Sequence, residues 1–372
     1  MANKRNLKTL FMILAIMLSA ALINGCTTSS APNPAEPEPS PAVTSEPASE
    51  PELKPEYEPA PVPEPEPEAY LPLNGEGVNA DDSRLYKRPL SVKIENTPES
   101  RPSMGLSYAD VVYETLTEGG ITRFNAIFHS KLPAEAGSIR SARNSDLSIA
   151  PQYGGLFVFS GANAEVLQGV RTIIRSVISE GNAGPSFYRV SHKYAPHNLY
   201  FNPEAGYERF AELGYDIYTE EPKGLIFGEN DMENLGRDLA DEIFVPYSAA
   251  SFDVTWKYDP EAGAYFRFIK GDAQVDESDL TKQIRAENVV ILSASYLSGG
   301  LNGTYNINLN GEGEAVLFQD GRRFEATWHT DGTHPPILKS RSGETLYFKP
   351  GQTWFQVPGN FSAVDVTSYH QV

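Results

Sequence analysis

The 372-residue chain has one cysteine, Cys26, so no intramolecular disulfide can form and the fold must rest on burial and hydrogen bonding alone. Histidine is also scarce, with six in all. There is no HExxH run and no cysteine pair, and His192 and His197 stand five apart without a clear carboxylate partner, so no metal site is supported. There is no P-loop and no complete dinucleotide fingerprint, and no cofactor is expected. "VFSGA" lacks the leading glycine of a nucleophile elbow. Basic charge is short as well: 30 Lys and Arg against 49 Asp and Glu leave a net charge of −19. A nucleic-acid binder shows a broad basic face, so no nucleic-acid partner is expected.

Long apolar runs are missing too, except at the start, "MANKRNLKTLFMILAIMLSAALINGC". Lys4, Arg5 and Lys8 form a basic lead-in, and Leu10 to Ile23 has the length of a secretory core rather than of a membrane span. Ile23-Asn24-Gly25-Cys26 is similar to a bacterial lipobox. Residues 1–25 are therefore expected to be a lipoprotein signal peptide. Cys26 is expected to carry lipid, which tethers the chain to the membrane on its extracytoplasmic face. Residues 26–80 are expected to be a disordered linker, because Ala31 to Pro72 is dominated by proline and glutamate. Proline removes donors, and like charges without apolar residues build no core, leaving a stiff acidic stalk.

The rest reads as α+β, with a mixed α/β region over 81–225 and a β-rich region over 245–372. In the first, "RPLSVKIEN" alternates like a strand and "GGLFVFSG" suits a buried one. "ANAEVLQGVRTIIRSVIS" predicts a helix with Val166, Leu167, Val170, Ile173, Ile174 and Val177 on one face. "NPEAGYERFAELGY" predicts another, entered at Pro203 and ended at Gly214. In the second, strand-like runs such as "FDVTWKYD", "AYFRFIKG" and "QTWFQVP" recur, and Asp320-Gly321 predicts a hairpin turn. Residues 81–193 are close to charge balance, whereas 194–372 carry about twice as many acids as bases. Any anion must therefore be held by a local cluster.

The segments "RPLSVKIENTPESRPSMGLSYADVVYETLTEGGITRF", "GSIRSARNSD", "YAPHNLY", "GEGEAVLFQDGRRFEATW" and "GETLYFKPGQTWFQVP" resemble, in order, the YerB-like family of bacterial lipoproteins. The resemblance runs over residues 85–360. It implies a lipid-anchored protein with two domains of unknown function and supplies no reaction.

Chemistry concentrates in the first region. Glu114 and Glu118 precede Gly119-Gly120 and Arg123, which puts Glu118 and Arg123 at the rim of a turn. The glycines there permit close approach of a ligand. "GSIRSARNSD" sets Arg140, Ser141 and Arg143 in one loop. Guanidinium forks take phosphate or carboxylate, or else pair internally with Glu114, Glu118 and Asp146. His197 and Asn198 follow Ala195-Pro196 in a rigid loop, where His197 suits either proton transfer or a structural hydrogen bond. Trp256, Trp328 and Trp354 suit a carbohydrate platform or a core.

Two readings follow. In the first, Glu114, Arg123, Arg140, Ser141, Arg143 and Asn198 bind an anionic cell-wall polymer or an envelope protein. In the second, the arginines clamp a phosphorylated or glycan substrate while Glu118 or His197 moves a proton, as in a hydrolase or glycopolymer transferase.

Overall fold

The computed structural model describes residues 66–236, 238–298 and 305–369. The expected signal peptide, Cys26 and the expected linker up to residue 65 lie outside the described residues. Strand pairing is already present before the expected linker boundary at 80. Ala69–Tyr70 pairs with Gly77–Val78, and Leu71 and Leu73 between them are fully buried. Those two leucines supply the apolar area that the Pro/Glu-dominated sequence upstream lacks.

The first half contains β1 (Leu90–Glu95), β2 (Val111–Leu116), β3 (Thr122–Phe128), α1 (Asp146–Gln152), β4 (Leu156–Val158), α2 (Ala164–Gly169), β5 (Val177–Ile178) and α3 (Pro203–Glu212). The second contains β6 (Glu242–Val245), β7 (Val254–Asp259), β8 (Ala264–Ile269), β9 (Asp279–Gln283), β10 (Asn288–Leu292), β11 (Gly311–Gln319), β12 (Arg322–Thr330), β13 (Ile337–Ser340), β14 (Thr345–Leu346) and β15 (Thr353–Val357). The fold class is α+β, with the second half almost entirely strand.

One large sheet runs through both halves in the order β14-β13-β12-β11-β10-β15-β2-β3-β1-β4-β5. The join is β15, which pairs in parallel with β10 on one side and with β2 on the other. All five residues of β10 and all five of β15 are buried. Their sequences, "NVVIL" and "TWFQV", are the near-continuous runs that a strand covered on both faces requires. Val92, Phe124, Trp256, Val289 and Trp354 pack on one face of this sheet, and Val111, Tyr113, Val290, Leu317 and Phe355 on the other. A second sheet, built on β6, β7 and β8, packs onto the first face.

Local signals behave as read at several points. Asn202 caps α3 by accepting from the Ala205 N–H at 2.9 Å, Pro203 starts the helix, and Gly214 follows at φ 78°. Asp320 and Gly321 join β11 to β12 with φ of 50° and 69°, both left-handed.

The expected helix after Gly161 is broken. Helix α2 ends at Gly169, Val170–Ile174 winds as a π-turn, and Arg175 turns at φ 68°. Val177 and Ile178 then join β4 in the sheet. Their gain from pairing beside Phe157 and Val158 overrides the helical period, and Ile173 is left half exposed.

The three tryptophans are core, which corrects the carbohydrate-platform reading. Trp256 and Trp354 are fully buried, edge to face at 5.2 Å, and Trp328 is 2 % exposed.

Candidate functional site

Strand β1 sorts its side chains by alternation. Leu90, Val92 and Ile94 enter the apolar core, while Ser91, Lys93 and Glu95 line the opposite face, all six buried. Lys93 stands opposite Asn125 and Glu95 opposite Arg123 on β3, and Thr115 of β2 is opposite Arg123. A row of polar and charged groups therefore lies beneath the loop 138–146.

Lys93 Nζ donates to Asp146 Oδ1 at 2.8 Å, with both side chains at 0 % exposure. Asn125 Nδ2 donates to the same oxygen at 3.0 Å, and Asn125 Oδ1 accepts from Ser91 Oγ at 2.8 Å. Asp146 Oδ2 accepts from the Arg143 N–H at 2.7 Å, which fixes the loop to the start of α1. Burial pushes the Lys93 ammonium down, and the Asp146 carboxylate works against that shift.

The two arginines of "GSIRSARNSD" have different surroundings. Arg143 is committed internally. Its Nε donates to Glu118 Oε2 at 2.6 Å, its second terminal nitrogen pairs with Glu118 Oε1, and the other donates to the Ala142 carbonyl at 2.8 Å. Arg123 reaches the same Glu118 at 3.4 Å and donates to the Ser141 carbonyl at 3.0 Å. Burial raises the Glu118 carboxyl, but the Arg143 hydrogen bond and the charges of Arg123 and Arg143 outweigh it and hold it at about 2. Burial, then the charge of Arg143, lowers Arg123 to about 10. Both Glu118 oxygens are thus occupied by arginines, which makes the carboxylate a weak proton acceptor.

Arg140 is held at one end only. Its Nε lies 3.2 Å from Oε1 of the fully buried Glu95, and its side chain is 21 % exposed. Its two terminal nitrogens have no partner among the described residues. His197 uses the other oxygen of the same carboxylate, with Nδ1 at 3.0 Å from Glu95 Oε2, and Nε2 is likewise without a partner among the described residues. Thr97 Oγ1 donates to Glu95 Oε1 at 3.1 Å. A buried carboxylate thus orients a guanidinium and an imidazole side by side, each with its outer nitrogens unpaired. Such an edge suits an oxyanion.

The remaining expected residues are placed apart. Glu114 sits on the opposite sheet face, where Asn96, Thr122 and Arg267 fill its oxygens at 3.0, 2.7 and 2.7 Å. Asn198 accepts from Arg189 at 2.9 Å and donates to the Val190 carbonyl, bracing the loop that carries His197. Ser141 takes part through its carbonyl, which accepts from Arg123 and Arg143. Gly119 and Gly120 do take left-handed φ, at 73° and 72°, but a Cβ on Gly120 would lie 2.9 Å from Ser248. The close approach there is to the second half of the chain. Lys93 and Glu95 were missed by sequence reasoning. The signal was present: "SVKIEN" places charges at alternate positions of an otherwise apolar strand.

Residues 76–216 match the N-terminal domain, and residues 243–355 the C-terminal domain, of a family described as proteins of unknown function (DUF3048). The two matches together span about two thirds of the chain. The chain belongs to this family. YerB of Bacillus subtilis (strain 168), named as a candidate lipoprotein, is 28 % identical over 296 residues, covering 78 % of this chain and 87 % of YerB. The crystal structure of YerB from Bacillus subtilis superposes with a TM-score of 0.72 at 27 % identity, covering 81 % of this chain and all of that one. The DUF3048 boundary at residues 216–243 does not divide the sheet, because β15 carries it from one matched domain into the other.

Proposed function

We propose that this DUF3048 protein is a lipid-tethered extracytoplasmic binding module. Its Arg140–His197 edge takes an anionic group of an envelope component, either a wall polymer or an envelope protein. The observation that carries the reading is the shared anchor: Glu95 orients both side chains and leaves their outer nitrogens unpaired. The lipobox at Cys26 and the name of the Bacillus relative support the location. A thermal-shift series on the full chain in detergent tests it, with glycerol-phosphate oligomers against neutral oligosaccharides. A ligand at a hundred times its dissociation constant adds about 2.7 kcal/mol to the folded state. The anionic series is expected to raise the melting temperature and the neutral series to leave it unchanged; equal responses to both would overturn the reading.

The Glu95–His197 contact favours one second reading, an enzyme on a phosphorylated or glycan substrate. Nδ1 on a carboxylate with Nε2 outward is the posture of an oriented general base. His197→Gln separates the two. An enzyme would lose turnover of a phosphodiester substrate while still binding it.

A further inference from the structure

A cleft of about 480 Å³ opens where the two matched domains meet, on residues the Arg140 edge does not use. In a chain of net charge −19, it is lined by Lys131, Lys282 and Arg285. These bases are poorly neutralised. Lys131 has no partner among the described residues, and Lys282 lies over the Tyr108 ring, 4.5 Å from its centre, with the Asp279 carboxylate near but not in an ion pair with it. Arg285 meets Glu287 at 3.5 Å, while the second oxygen of Glu287 accepts from the Gln352 N–H at 2.7 Å. The other lining acid, Asp110, is turned inward onto the N–H groups of His129 and Ser130 at 2.7 and 2.9 Å. Ser107 Oγ is buried beside the cleft with no partner among the described residues. Tyr108 and Phe266 add flat apolar surface.

Three bases around one cleft, only Arg285 of them in an ion pair there, call for an anion. A volume within the usual range of small-ligand pockets, about 300–1,000 Å³, calls for more than a bare ion. An unpaired hydroxyl and two aromatic rings match a ligand with hydroxyls on an apolar ring face. We propose that this cleft binds an acidic sugar unit, one or two rings bearing phosphate or carboxylate. Lys131, Lys282 and Arg285 hold the acidic group, Ser107 meets a ring hydroxyl, and Tyr108 and Phe266 flank the ring. Residues of both matched domains contribute, so neither domain alone forms the site.

Titration calorimetry on the detergent-solubilised full chain tests this with glucose 1-phosphate, glucuronate, glucose, inorganic phosphate and adenosine monophosphate. The three bases are exposed, so a Lys131→Gln/Lys282→Gln/Arg285→Gln variant is expected to fold, with its melting temperature as the check. The two acidic sugars are expected to bind saturably, more tightly than glucose, phosphate or the nucleotide. The triple variant should weaken them by more than about tenfold, the equivalent of one charge-assisted contact. Arg140→Lys should leave them unchanged. Absence of binding, an unweakened folded triple variant, or phosphate or nucleotide binding as tightly as the sugars would each overturn the proposal. Loss of sugar binding in Arg140→Lys would place the ligand at the other edge and overturn it as well.

Discussion

At the residue scale, the buried pair Lys93–Asp146 is the firmest part of the polar row, and it should act on stability rather than on binding. Removing one member strands the other charge in the core, so Lys93→Met is expected to cost about 3–5 kcal/mol in chemical denaturation. Lys93→Met with Asp146→Leu should recover part of that loss. Recovery stays incomplete because Arg143 and Asn125 also lean on Asp146. His129 gives a pH signature. It is 4 % exposed, and burial presses its imidazole down to about 4 against the pull of the Arg84 and Lys87 carbonyls. Between pH 6.5 and 4 the unfolded chain takes a proton at this site and the folded chain does not. The stability His129 confers is therefore full above 6.5 and is lost as pH falls toward 4. Burial raises Asp110 to about 6, which gives the opposite slope, so the comparison must be between wild type and His129→Leu at each pH. The variant's melting temperature is expected to gain on wild type as pH falls from 6.5 to 4; parallel curves would contradict this account. Sequence reading found the arginines, Glu118 and His197 through the density of polar residues in their loops. It could not separate Arg140 from Arg143, because the carboxylate that decides each lies on a different segment, at Glu95 and at Glu118.

At the element scale, strand β15 joins the two halves. Trp354 is fully buried on it, at 5.5 Å from the Phe124 ring and 5.2 Å from the Trp256 ring, and the Arg267 guanidinium lies 5.2 Å from its own ring. Trp354→Ala is expected to cost about 3–5 kcal/mol through lost burial and the cavity left behind, measured by denaturant midpoint. A loss under 1 kcal/mol would mean that the seam is looser than described. Strands β1 and β7, the cap of α3 and the Asp320-Gly321 turn were legible because alternation, capping and turn chemistry are local. The insertion of β15 between β10 and β2 was not, since parallel partners 65 residues away (Asn288 and Thr353) and 242 residues away (Val111 and Thr353) leave no local period. The broken helix after Gly169 has the same cause: the edge of β4 recruited Val177 and Ile178.

At the scale of the whole molecule, the continuous sheet and the buried Arg267–Glu114 contact at 2.7 Å tie the two matched domains into one cooperative unit. Calorimetry of the full chain is expected to show a single unfolding transition for the body. Two separated transitions would mean that the domains are independent. The charge map adds the functional contrast. The molecule is acidic overall, and the tether, if formed at Cys26, would hold its few unpaired cations outside the membrane, where an anionic ligand is selected locally and not by the global field.

The central claim is that Arg140 is open to a ligand while Arg143 is structural. The direct test is titration of a glycerol-phosphate oligomer into the full chain, comparing wild type with Arg140→Lys and Arg143→Lys, with each variant's melting temperature recorded. Lysine keeps the charge but loses the fork. The account predicts binding weakened about tenfold or more in Arg140→Lys at nearly unchanged melting temperature, and a lower melting temperature with binding retained in Arg143→Lys. Equal binding in wild type and Arg140→Lys, or a binding loss confined to Arg143→Lys, would contradict it.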